Sequence, residues 1–196
     1  MAFPRSRLPG VLLPKPVRWG RFEGSSAVSS NLSRGNGREA PVFMETMRPL
    51  RYANSVVPHI YVRGAAKAVA FYAEAFGARE LLRIAAPDGR IVHSELSICG
   101  ATVMLGDPDD QLYDEPRQLG ACAASLHLMV DDNKAVLARA VAAGCEQIQP
   151  PTKMFYGANS ASVRDPFGHV WVLLTWKEDL SPAEMERRGK AALGEQ

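Results

Sequence analysis

The chain of 196 residues suits one domain, or one domain with a tail. Hydrophobic residues make up 46% and charged residues 22%, as in ordinary globular proteins, and no run of 18 apolar residues predicts a membrane span. Residues 1–51 hold nine Lys or Arg against three Asp or Glu, a charge of +6, whereas residues 52–196 hold fourteen against eighteen, a charge of −4. The acidic balance of residues 52–196 gives a nucleic-acid partner no electrostatic support in that part of the chain.

Residues 1–51 are rich in Pro, Gly, Ser and Arg and show no helical or strand period. Three interpretations stay open: a disordered tail, an organelle transit peptide, or non-native upstream sequence with the natural start at Met44 or Met47. Each predicts that the segment adds nothing to the fold.

The three cysteines, Cys99, Cys122 and Cys145, show neither C-x-x-C nor zinc-site spacing. That usage is typical of reduced thiols in an intracellular protein. We therefore expect a cytoplasmic location.

The first half of the remaining chain predicts one helix and four strands. The helix, Ala65–Phe76, places Val69, Tyr72 and Phe76 on one face and ends at Gly77. The predicted strands are Ser55–Arg63, Leu81–Ala85, Arg90–Cys99 and Thr102–Leu105. A polar, acidic connector begins at Asp107 and either only links elements or forms a flexible loop over the site.

The second half repeats this order. His59-Ile60-Tyr61-Val62 matches His127-Leu128-Met129-Val130 at an offset of 68, and Gly77 matches Gly144 at an offset of 67. The predicted elements are a strand over Ser125–Val130, a helix over Asp132–Ala143, a strand over Glu146–Gln149, a loop over Pro150–Ser160, and strands over Ala161–Arg164 and Val170–Trp176. Two copies favour a closed pseudo-symmetric domain.

Asp165-Pro166-Phe167-Gly168 is a type I turn pattern ahead of the last strand, and Ser181-Pro182-Ala183-Glu184 is a capping box. The capping box predicts a charged surface helix over residues 181–196.

This set of motifs resembles the vicinal oxygen chelate superfamily, which includes glyoxalase I, bleomycin- and fosfomycin-resistance proteins and extradiol dioxygenases. The resemblance rests on residues 62–72, Phe76-Gly77-Ala78, residues 88–96, Ser125-Leu126-His127-Leu128 and residues 165–171. Within that superfamily, the motifs look most like those of the PhnB-like subgroup. It implies an α+β fold over residues 52–180, in which two β-α-β-β-β modules (55–106 and 122–176, connector 107–121) form a curled, partly open mixed sheet around a cup.

Metal-dependent members of that superfamily carry ligands at positions that align with Val57, Met104, Ser125 and Val172. None of these four residue types is a strong metal ligand, because metals in proteins prefer imidazole, carboxylate or thiolate. We therefore predict no metal at these positions, and the cofactor stays unknown. A divalent metal at a displaced site formed by His59, His93, Glu95 and His127 stays open as an alternative.

Strand alternation places a set of polar side chains, distinct from those four positions, on the side of the sheet that faces the cup. In the third strand the apolar set is Val92, Leu96 and Ile98, which we expect to pack on a helix, and the alternating polar set is His93, Glu95 and Ser97. We therefore expect His93, Glu95 and His127 to carry acid–base chemistry. Further candidate ligand contacts come from alternate positions on the strands, from the family alignment and from the position of a loop. They are His59, Tyr61, Met104, Ser125, Tyr156, Val172 and Trp176.

Two functions stay open at this point. One is a glyoxalase-like lyase or isomerase that binds a small organic molecule in the cup. The other is a non-catalytic protein that sequesters a drug or metabolite, as bleomycin-resistance proteins do. We expect a homodimer, without nucleic-acid or membrane partners.

Overall fold

A computed structural model describes residues 56–109 and 112–194 of the chain. Its first module consists of β1 (His59–Tyr61), α1 (Ala65–Phe76), β2 (Arg79–Ala85), β3 (Ile91–Ile98) and β4 (Ala101–Gly106). A short helix, α2 (Pro116–Leu119), precedes the second module. That module consists of β5 (Ser125–Met129), α3 (Asn133–Ala143), β6 (Glu146–Lys153), β7 (Ala158–Arg164) and β8 (Val170–Trp176), and α4 (Pro182–Gly194) follows it.

Each module builds one four-stranded mixed sheet, in the orders β1-β4-β3-β2 and β5-β8-β7-β6. The first and fourth strands of each module run parallel, and the other neighbours run antiparallel. Equivalent residues occupy equivalent positions, since His59 lies opposite Met104 and His127 lies opposite Val172. The predicted α+β fold with two β-α-β-β-β modules is confirmed.

Several strands differ from their predicted bounds. Strand β2 begins at Arg79 rather than Leu81, and β7 begins at Ala158 rather than Ala161, so the predicted loop over Pro150–Ser160 is wrong except for residues 154–157. The first strand covers only His59–Tyr61 of the predicted range. Strand β6 instead runs on through Pro150 and Pro151 to Lys153. Proline is tolerated there because β6 is an edge strand and its pairing shifts register between Gln149 and Thr152.

The long helix of each module, α1 in the first and α3 in the second, begins where a carboxylate accepts backbone N–H groups. Asp132 accepts from Lys134 and Ala135 at the start of α3. At the start of α1 the acceptor comes from the far end of the module, since Asp107 Oδ1 accepts from Gly64 N at 2.7 Å and from Ala65 N at 3.2 Å. Asp107 therefore ties the end of β4 to the first turn of α1.

The core lies between the sheets and their helices. In both modules one side of the strands is buried, and its largest fully buried side chains are Ile91, Leu96, Ile98, Leu105, Val163, Trp171 and Leu173. Burying such a side chain stabilises the fold by about 1.5–3 kcal/mol. We call the opposite side of each sheet, which points away from the helices, its open face.

The Asp165 carboxylate joins the two modules. Its Oδ2 accepts hydrogen bonds from the Tyr72 hydroxyl of α1 at 2.7 Å and from the Trp171 indole N–H of β8 at 2.9 Å. Its Oδ1 accepts from the backbone N–H groups of Phe167 and His169, both at 2.9 Å. Only 4% of Asp165 is exposed, so these four donors replace the water that a carboxylate normally requires.

Aromatic rings and a thiol surround this carboxylate. The centroids of Phe76 and Trp171 are 4.6 Å apart, and those of Tyr72 and Trp171 are 5.5 Å apart. Burial raises the pKa of Tyr72 well above its ordinary value, and burial with the nearby Asp165 raises the pKa of Cys145 to about 12. Both groups therefore stay protonated, and Cys145 is not available as a nucleophile.

Two further predictions concern the N-terminal tail and a membrane span. The expected tail over residues 1–51 lies outside the described residues. Within residues 56–109 and 112–194, no helix combines the length and the apolar character needed to cross a membrane.

We expect Asp165→Ala to lower the free energy of unfolding by roughly 3 kcal/mol or more, because it leaves several buried donors without an acceptor. Tyr72→Phe removes one of those donors and should cost about 1 kcal/mol. Asp88→Ala, at an exposed turn, should change it by less than about 0.5 kcal/mol. Urea unfolding measures all three, and equal losses in Asp165→Ala and Tyr72→Phe would contradict the role of Asp165.

Candidate functional site

The open face of the first sheet carries a row of functional side chains. His59 of β1 lies opposite Met104 of β4, and Met104 lies opposite Glu95 of β3. His93, two residues before Glu95, shares the same face because side chains alternate along a strand. The sheet therefore brings two imidazoles, a thioether and a carboxylate together.

The contacts within this row couple its titratable groups. His93 Nε2 lies 3.4 Å from Glu95 Oε1, and only 2% of the Glu95 side chain is exposed. The rings of His59 and His93 have centroids 5.6 Å apart and meet nearly edge to face. Burial, and then the proximity of His93, lowers the pKa of His59. His59 is therefore neutral over a wider pH range than a free histidine.

The open face of the second sheet carries a different set. His127 of β5 lies opposite Val172 of β8, and its Nε2 is 3.1 Å from the Ser125 hydroxyl. Val172 lies opposite Ser162 of β7, which is the counterpart of Glu95 in the first module. No carboxylate occupies this row of three.

Two predicted ligand contacts lie at the other end of this second face. The Trp176 indole N–H donates to the Met129 sulfur at 3.4 Å. The rings of Tyr156 and Trp176 have centroids 6.1 Å apart. These aromatic side chains therefore form a group of their own beside the β6–β7 loop.

The predicted site residues thus fall into two groups, one on each sheet. His59, Tyr61, His93, Glu95 and Met104 belong to the first sheet, and Ser125, His127, Val172 and Trp176 belong to the second, with Tyr156 beside it. A cavity of about 450 Å³ opens at the seam between the modules, and Val57, Ser125 and His127 line part of it. The structure joins His93 to Glu95, but it pairs His127 with Ser125.

The residues at the four family metal positions do not fit a metal of the glyoxalase I type. Val57 and Val172 offer no donor atom, Ser125 offers a neutral hydroxyl, and Met104 offers a thioether. In the part of the chain that the structure describes, no three His, Cys, Asp or Glu side chains are grouped as metal ligands. We therefore derive no chemistry from a metal.

Sequence reasoning missed Tyr113, which lies in the acidic connector. Its ring stacks on Tyr61 with centroids 4.3 Å apart and planes 6° apart. Tyr61 in turn stacks on His59 at 4.6 Å. An isolated aromatic in a polar connector was the available signal, but nothing in the local pattern indicated its partner.

Comparison with known proteins gives close and distant relatives. An uncharacterized protein of Mycobacterium bovis is 40% identical over 120 residues, which span 59% of this chain and 79% of the relative. An uncharacterized protein of Mycobacterium tuberculosis has the same identity over 120 residues and is covered to 71%.

Solved structures share the fold. TioX from Micromonospora sp. ML1 has a TM-score of 0.51 and 25% identity, and the match covers 65% of this chain and 100% of TioX. The fosfomycin resistance protein FosX from Listeria monocytogenes has a TM-score of 0.52 and 14% identity, with 68% and 98% covered. At that identity FosX is informative about the fold alone. Residues 52–173 match the family description Glyoxalase/Bleomycin resistance protein/Dioxygenase superfamily, and the chain belongs to this superfamily.

Proposed function

We propose that the protein binds a small organic molecule on the open face of its first sheet, where His93 acts as an acid–base group assisted by Glu95. The observation that carries this proposal is the contact of 3.4 Å between His93 Nε2 and the buried Glu95 carboxylate. A carboxylate beside an imidazole orients the ring for proton transfer. The motifs of the chain also support a place in the PhnB-like subgroup.

The chemistry that such a pair supports is proton transfer. His93 would remove a proton from a carbon next to a carbonyl group, or from a hydroxyl, and return it at a neighbouring atom. Neutral His59, in contact with His93, would accept or donate a hydrogen bond to the same substrate. Proton transfer of this kind is the central step of an isomerase or lyase. His127 and the other residues of the second sheet would contribute if that face covers the same molecule.

A second candidate is a non-catalytic binder that sequesters its ligand. It is favoured by the residues at the four family metal positions, since Val57, Met104, Ser125 and Val172 provide none of the ligands that metal-dependent members use. Binding would then depend on shape and on the ring and thioether surfaces of the open face.

Histidine NMR tests both candidates, because the chain has only four histidines. A panel of small carbonyl compounds is added to protein with isotope-labelled histidine, and we expect a bound compound to shift the signals of His59 and His93. The buried His169 reports on nonspecific change. His93→Gln should retain binding and lose turnover by a factor of about 10²–10⁴, while Glu186→Gln, on the exposed side of α4, serves as the control. Binding without turnover favours the sequestering protein, and shifts confined to His169 contradict both candidates.

We expect His59 to titrate below its ordinary pKa of 6.5, because burial and His93 both disfavour its charged form. The pKa of His59 should rise in His93→Ala and stay unchanged in Asp88→Ala. Folding then favours neutral His59, so the associated stability is complete above pH 6.5 and is lost as the pH falls through the lower folded pKa. NMR titration measures the pKa directly, and a value at or above 6.5 would contradict the assignment.

We also propose that the protein is a cytoplasmic homodimer. Edge strand β2 presents an unpaired edge together with exposed Leu81, Leu82 and Ile84, which are 40%, 38% and 50% exposed. Unpaired edges with apolar side chains are typical sites of association. Sedimentation velocity at micromolar concentration should give the mass of two chains, and Ile84→Lys should shift the protein towards one. A single chain at every concentration would contradict the dimer.

A further inference from the structure

Three rings form a continuous stack at the end of the open face of the first sheet. His59 and Tyr61 stack with centroids 4.6 Å apart and planes 14° apart, and Tyr61 stacks on Tyr113 at 4.3 Å and 6°. Burial, with Tyr113 and Asp109 nearby, raises the pKa of Tyr61, so its ring stays neutral. We call these three side chains the ring stack.

The ring stack is held in place from both ends. Alternation along β1 puts His59 and Tyr61 on the same face. Tyr113 comes from the connector, which is tied to the start of α1 because Arg63 pairs with Asp114 at 3.0 Å and the Arg63 N–H donates to Glu115 at 2.8 Å. The position of Tyr113 over Tyr61 is therefore fixed by contacts outside the rings.

A cavity of about 320 Å³ adjoins the stack, and its walls include Tyr61, Tyr113, Val92 and Pro108. This volume falls in the range of small-molecule sites. Tyr113 is 48% exposed and Val92 is 59% exposed, so aromatic and apolar surface is left open to solvent beside the cavity. Such surface favours a ligand that is itself flat and apolar.

The charge around the cavity further restricts the class of ligand. The charged side chains that line the cavity are Asp107, Asp109 and Arg90, a net charge of −1. The arginines that lie close by are engaged, since Arg63 pairs with Asp114 and Arg90 pairs with Asp88 at 2.8 Å. An anionic ligand would meet repulsion here, whereas a cationic ring would also gain from the faces of the tyrosines.

We propose that the ring stack binds a planar aromatic group, neutral or cationic, which lies against the exposed side of Tyr113 and extends the stack into the adjoining cavity. This inference rests on the proposed function, because it specifies the class of molecule that the open face of the first sheet accepts. His59, the last ring of the stack, contacts His93 and links the stack to the proposed acid–base group.

The test compares three probes of similar size by fluorescence and NMR titration: N-methylquinolinium, its saturated cationic analogue N-methyldecahydroquinolinium, and anionic naphthoate. We expect N-methylquinolinium to bind about tenfold more tightly than either of the others. Equal binding of the planar and saturated cations, or tighter binding of naphthoate, overturns the inference.

Variants locate the probe. Tyr113→Ala should weaken N-methylquinolinium about tenfold, Tyr113→Phe should stay within about twofold because the ring is kept, and Leu119→Ala, also exposed in the connector, should match the unaltered protein. Thermal melting confirms that each variant folds. Unchanged affinity in Tyr113→Ala overturns the ring stack as a site.

If non-planar carbonyl compounds still shift His59 and His93, the proposed function survives that failure. If no compound shifts them, the proposed function fails.

Discussion

The Asp165 carboxylate is the group on which the joint between the two modules depends. It gathers one donor from α1, one from β8 and two from its own turn, so a single buried anion fixes elements far apart in sequence. The turn also packs against α2, since a Cβ on Gly168, with φ at +96°, would lie 2.7 Å from Arg117 N. The same turn sets where β8 begins and therefore where β5, its parallel neighbour, places His127.

The two modules share a backbone plan but divide the chemistry unequally. The row His59–Met104–Glu95 in the first sheet corresponds to the row His127–Val172–Ser162 in the second. The imidazole is kept in both, while the thioether and the carboxylate occur in the first alone. Of the two rows, only that of the first sheet has a buried carboxylate, and His93 contacts it, which is why the proposed chemistry is assigned to that sheet.

Much of the fold could be predicted, because the repeat and the strand alternation are local patterns. Alternation alone was enough to put His93 and Glu95 on one face. The same alternation placed Val92 against a helix, which is wrong, because the pairing with β2 shifts register at this end of β3 and buries Ile91 while Val92 is exposed. The continuation of β6 through Pro150 and Pro151 was missed because it depends on an edge position that only the sheet order defines. The stacking of Tyr113 on Tyr61 was missed because it depends on contacts across some 50 residues of chain.

The burial of Glu95 separates a structural from a functional interpretation of the first sheet. A buried carboxylate is costly to desolvate and persists only with compensating contacts, of which His93 supplies one. The equivalent position of the second sheet holds Ser162, which is 8% exposed, so the same backbone plan accepts a small neutral side chain there. The shared backbone plan therefore does not by itself require a charge at this position of a module. A buried carboxylate in contact with an imidazole is the arrangement that acid–base chemistry uses, and this makes Glu95 a functional candidate as well as a structural one.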